Sequence, residues 1–60
     1  MKKKDLLKII KSHGCSFVRN GANHDIYSDA KGTKKVPIPR HREINEFTAK
    51  QILKQLGIKL

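Results

Sequence analysis

Any catalysis by this chain must come from its three histidines, its single tyrosine and its many cations. The sequence holds no Cys/His cluster, no His-Glu-x-x-His and no pair of neighbouring carboxylates suited to magnesium. A phosphate-binding Gly-rich loop is absent, and Ser12, Ser16 and Ser28 lie in no nucleophile elbow. Such an inventory suits one substrate class unusually well. RNA carries its own nucleophile, the 2′-hydroxyl, so one general base and a few cations beside the scissile phosphate suffice.

The histidines differ in setting. His13 stands beside Gly14 at the end of an amphipathic segment, where a cap on a helix C-terminus is its simplest role. His41 lies between Arg40 and Arg42 and reads as one more phosphate contact. His24 follows Gly21-Ala22-Asn23 and opens a β-prone stretch. Alternation puts His24, Ile26 and Ser28 on one face of that strand, with Asp25 and Tyr27 on the other. On the residues alone, His24 is open to two roles: a structural histidine, the commoner fate, or a general base.

The elements that must position these groups follow from periodicity. Lys3 to His13 sets Leu6, Leu7 and Ile10 against Lys4, Lys8 and Lys11, with Asp5 in the first turn and Gly14 as a stop. Cys15 to Arg19 is β-prone, and Asn20-Gly21 is a turn signal. His24 to Ser28 and Lys34 to Ile38 read as two further strands around a turn at Asp29 to Thr33. Pro37 and Pro39 cannot donate to a sheet ladder, so the third strand is expected to be an edge or to end early. From Ile44 the helical period returns, with Phe47, Ile52, Leu53 and Leu56 as the expected apolar stripe and Gly57 as the stop. Two starts compete: Asn45 as N-cap, or Thr48 with Gln51 as a capping box. The expected order is α-β-β-β-α, an α+β fold with a three-stranded antiparallel sheet and two helices on one face. Phe17 and Val18 join Leu6, Ile10, Val36, Ile38 and the second helix in the expected core.

Sixty residues provide for one domain, 1–60, and for no deep cavity, so function belongs on the surface. Fourteen Lys and Arg against five acids give a net charge of +9, which draws polyanions to the chain. The stretch from Lys31 to Arg42 carries five formal positive charges and no acid. A charge run is often just solvated. Here its density favours a phosphate-binding strip, with too few interleaved aromatics for a base-stacking platform. Cys15 stands alone, which excludes an intrachain disulfide and a cysteine zinc site and suits a reducing compartment. The Lys2–Lys4 run leads into no signal-peptide core, and no apolar run has bilayer-spanning length. A soluble, cytoplasmic protein is expected.

The segment Gly21-Ala22-Asn23-His24-Asp25-Ile26-Tyr27 resembles the Gly-x-x-His-x-x-aromatic core of the HicA toxins. The opening Lys-Asp-Leu-Leu-Lys-Ile-Ile-Lys helix, Gly14-Cys15, Val36-Pro37-Ile38-Pro39 and the closing run Thr48 to Gly57 are similar as well, so the resemblance spans essentially the whole chain. It implies a double-stranded-RNA-binding-domain-like fold, ribosome-independent cleavage of mRNA, and inhibition by a HicB-type antitoxin. The family's catalytic histidine falls on His24. Many relatives carry Ser-His-His where this chain has Ala22-Asn23-His24. Gly21 matches the family glycine and would let RNA approach the backbone closely.

The expected mechanism has RNA across the sheet edge, held by Lys34, Lys35, Arg40 and Arg42, while His24 takes the 2′-hydroxyl proton. No metal and no cofactor enter. Tyr27 would help only by curling towards His24, against strand alternation, and a core role suits it better. Asp25 could orient a neighbour, though a plain surface carboxylate is the simpler reading. Other readings are a non-catalytic double-stranded-RNA-binding module and a basic domain that docks an acidic protein. The isolated chain is expected to be a monomer.

Overall fold

The computed structural model describes residues 1–59. Its elements run α1 (Lys3–Ser12), β1 (Ser16–Asn20), β2 (His24–Ser28), β3 (Lys35–Pro39) and α2 (Glu46–Gln55). The strands form one antiparallel sheet in the order β1-β2-β3, as the α-β-β-β-α reading requires. One buried cluster joins Leu6 and Ile10 of α1, Tyr27, Val36 and Ile38 of the sheet, and Ala49, Ile52 and Leu53 of α2. Both helices therefore cover the same sheet face, and the other face is left to solvent.

Both helices stop by one device. Gly14 and Gly57 take the left-handed conformation, with φ of 86° and 77°, which costs glycine little. Gly14 N–H then donates to Lys11 O at 3.0 Å and Cys15 N–H to Ile10 O at 3.1 Å. At the second stop Gly57 N–H donates to Lys54 O at 3.0 Å and Ile58 N–H to Leu53 O at 2.8 Å. This is the paired bonding of a Schellman cap, and the residue after each glycine, Cys15 or Ile58, is buried as that motif prefers. Cys15 thus closes α1 and does not begin the first strand. His13 has the capping role expected of it, its Nδ1 3.0 Å from Ile9 O.

Asn45 is the N-cap of α2: its side chain accepts from Phe47 N–H at 2.8 Å. The Thr48–Gln51 box therefore lies inside the helix. Phe47 is 69% exposed and leaves the expected stripe, because two residues of helix turn it about 200° from Ala49. Ala49 takes its place in the core. Phe17 and Val18 also leave the expected core, at 50% and 38% exposure. They stand on β1, an edge strand that no helix covers fully. Phe17 keeps one contact, edge-on against Tyr27 with ring centroids 5.6 Å apart.

Candidate active site and basic groove

Strand register decides which side chains share the helix-free face. His24 pairs with Pro39, Ile26 with Pro37 and Ser28 with Lys35. On the helix side, Asp25 pairs with Ile38 and Tyr27 with Val36. In β1, Phe17 pairs with Tyr27 but Arg19 pairs with Ile26, so Val18 is the extra residue of a β-bulge. Strict alternation would keep Arg19 on the side of Phe17; the bulge moves it to the side of His24. The open face thus carries Arg19, His24 and Lys35, with Ile26 and Pro37 between them as an apolar floor. Lys35 lies four residues along β3 from His24's partner, about 13 Å at roughly 3.3 Å per residue.

The His24 ring is exposed, and among the described residues it has no hydrogen-bond partner. Its backbone, by contrast, is tied down. Gly21 N–H donates to His24 O at 2.6 Å, which closes the β1–β2 loop. Arg40 Nη2 donates to Gly21 O at 2.9 Å and lies 3.5 Å from His24 O. Arg40 Nε in turn donates to Asp25 Oδ1 at 2.9 Å, and Lys3 Nζ to Asp25 Oδ2 at 3.2 Å. A side chain from each of α1, β2 and the β3–α2 loop thereby fixes the backbone that presents the imidazole. Gly21 is required here for a reason beyond RNA approach: a Cβ on it would stand 2.9 Å from His24 O.

The linear basic strip of the sequence divides in space. Lys34 and Lys35 lie at one end of β3 beside Val36 and Gln55, next to a turn in which Asp29 Oδ1 accepts from the Thr33 and Lys34 N–H groups at 2.8 and 3.2 Å. Arg40 and Arg42 lie at the other end, where they line a groove with His41, Glu43, Leu7 and Lys2–Lys4. Of the expected RNA-binding residues, Gly21 and Arg40 adjoin His24, and Lys35 shares its face. Sequence reading missed Arg19, hidden by the bulge, and the Lys2–Lys4 run, visible as charge but far away along the chain. Tyr27 is 6% exposed and faces the core, where burial pushes its phenol pKa up. It stands on the side away from His24. Asp25 is no plain surface carboxylate, since it ties Arg40 and Lys3 together.

Residues 4–58 match the family described as HicA toxin of bacterial toxin-antitoxin. The chain belongs to the HicA toxin family. Comparison with curated proteins and with solved structures gave no match. Its place in the HicA family makes the chain the toxin side of a toxin–antitoxin system. The Gly-x-x-His-x-x-aromatic segment of this HicA chain divides its labour clearly: Gly21 closes the loop, His24 faces solvent and Tyr27 anchors the strand in the core. Among the described residues, no three His, Cys, Asp or Glu side chains are grouped to hold a metal, and no helix is long and apolar enough to cross a membrane.

The Asp25 clamp gives this HicA chain a defined acid response. The hydrogen bond from Arg40, and then that from Lys3, holds the Asp25 carboxyl below its ordinary value of 3.8. A carboxyl so lowered contributes stability that is fully present above the ordinary value and is lost as pH falls through the folded-state value. Asp29, held by the Lys34 and Thr33 donors, and Glu46, held by the Met1 amino group, act in the same direction. The urea midpoint of the wild type should therefore fall as pH drops below the ordinary carboxyl values, 3.8 for the aspartates and 4.5 for Glu46. Asp25→Asn should flatten that fall without removing it; an unchanged profile would show that the clamp adds nothing to stability.

Proposed function

We propose that this chain, as a single 1–60 domain, is an endoribonuclease toxin of the cytoplasm that cleaves mRNA without a metal, with His24 as general base. The observation that carries this is the exposed His24 ring, unpartnered among the described residues, on a backbone fixed by Gly21 and Arg40. A structural histidine would have a partner of its own. This one is left free while everything beneath it is held. The HicA family match supports the same reading.

In the proposed step His24 takes the 2′-hydroxyl proton, the 2′-oxygen attacks the adjacent phosphorus, and the bond to the 5′-oxygen breaks in line. The departing 5′-oxygen takes up a proton, from solvent if from no side chain. Charge accumulates on the phosphoryl oxygens, and fixed cations stabilise it most where water is excluded. Arg19 shares the open face with His24 and Lys35 lies about 13 Å further along it, with Lys34, Arg40 and Arg42 towards the two ends of β3 to hold neighbouring phosphates. Ile26 and Pro37 offer an apolar floor for a ribose or base. A HicB-type antitoxin would silence the toxin by covering this face, and the net charge of +9 favours an acidic partner surface.

The products test the chemistry. Fragments should end in a 2′,3′-cyclic phosphate and begin with a 5′-hydroxyl, read by mass spectrometry, and cleavage should proceed equally in EDTA. Fragments that begin with a 5′-phosphate, or activity abolished by the chelator and restored by magnesium, would overturn the proposal.

A further inference from the structure

We propose that the groove between the start of α1 and the β3–α2 loop is a second phosphate-binding site, which holds the backbone of the RNA strand beyond the cut. The inference rests on the RNA-cleaving reading above and adds a place where the flanking strand is gripped. The groove encloses ≈ 680 Å³ and is lined by Lys2, Lys3, Lys4, Arg40, His41 and Arg42, with Leu7 and one acid, Glu43. That volume suits a nucleotide-sized group.

Its cations are divided between structure and availability. Lys3 and Arg40 hold Asp25. Lys2, Lys4 and Arg42 are exposed and, among the described residues, in no ion pair. Glu43, the acid that would neutralise them, lies 3.6 Å from the Met1 amino group. The walls are fixed by backbone bonds, Lys3 N–H to Arg42 O and Ile44 N–H to Met1 O, each 2.8 Å. Gathering like charges at one rim costs stability, and lysines at the start of a helix reverse the usual preference of its dipole. An anion held there offsets both costs.

The structure favours a nucleic-acid strand over a protein as the occupant. Protein interfaces are built around a desolvated apolar or aromatic centre, and the exposed large apolar side chains, Phe17, Val18 and Phe47, line no part of this groove. Arg40 lines the groove and also reaches the Gly21 and His24 carbonyls, so the groove adjoins the loop that carries the imidazole.

The test compares Lys2→Gln/Lys4→Gln with Lys50→Gln/Lys54→Gln, which removes the same charge from another surface. Each is titrated with 2′-O-methyl oligoribonucleotides of increasing length, which cannot be cut, and each is assayed for RNA cleavage. Wild type and the control should bind longer strands progressively better until the groove is filled. The groove variant should bind the shortest strands normally and lose about tenfold on the longest, with its salt dependence reduced by about 1.4 in log–log slope, at roughly 0.7 per lost contact. A thermal melt of each variant confirms that it is folded. Equal behaviour of the two variants, with cleavage intact, would overturn the groove alone and leave its cations to a protein contact. Wild type that neither binds nor cuts RNA would overturn the ribonuclease reading and the groove with it.

Discussion

His24→Ala is expected to slow RNA cleavage by about a hundred- to ten-thousandfold, the range a general base supplies, while folding and RNA affinity hardly change. The ring has no partner within the described chain, so its removal breaks no internal hydrogen bond. Surface truncations of that kind move stability by about 0.5 kcal/mol or less. The cations that hold RNA lie on other residues. The rate should therefore fall in kcat, with KM and melting temperature near those of the wild type. The substrate provides the complementary test. A single 2′-deoxy substitution at the cut linkage removes the nucleophile and should protect that linkage while other sites are still cut. An alanine variant that cleaves at the wild-type rate would remove His24 from the chemistry, and normal cutting of the deoxy linkage would remove the 2′-hydroxyl.

Gly21→Ala should produce the second largest effect, and through geometry alone. The added Cβ would meet His24 O at 2.9 Å, and that oxygen already accepts from Gly21 N–H at 2.6 Å. A backbone atom cannot rotate aside as a side-chain tip can, so the loop must open. Overpacking of this kind costs about 1–3 kcal/mol, and a displacement of the reacting group by about 1 Å can cost a hundredfold in rate. The expected result is a lower melting temperature together with a ten- to hundredfold loss in kcat. Were the glycine needed only for close approach of RNA, KM would rise and the melting temperature would hold. Measuring the three quantities on one variant separates the two explanations.

Local signals carried much of this structure in the sequence. The helical periods around Leu6 and Ile10 and around Ile52 and Leu53, with glycines at 14 and 57, mark both helices because capping and amphipathicity are short-range. Three β-prone stretches with short turns favour an antiparallel meander. The Gly-x-x-His-x-x-aromatic resemblance singles out His24, and alternation already places Tyr27 on the opposite face. The harder parts depended on tertiary placement. No local signal marks Val18 as the extra residue of a bulge, yet that one residue decides which face receives Arg19. Phe47 has the look of a core residue and becomes exposed because Asn45 fixes where the helix begins. Lys2–Lys4 and Arg42 meet only because the chain folds its first residues against the loop before α2. Asp25 is an ordinary acid in the sequence and a clamp once Lys3, 22 residues before it, and Arg40, 15 residues after it, close upon it.

The sheet has two unlike borders. On β3, Pro37 and Pro39 withhold two N–H donors, so a visiting strand finds an interrupted ladder there. On β1 the outer rim carries Phe17 and Val18 and no proline. The Val18 bulge kinks that rim, so it too is a poor template for a visiting strand. A sheet with one border so interrupted resists lengthening strand by strand, which guards a protein with so little interior against runaway polymerisation.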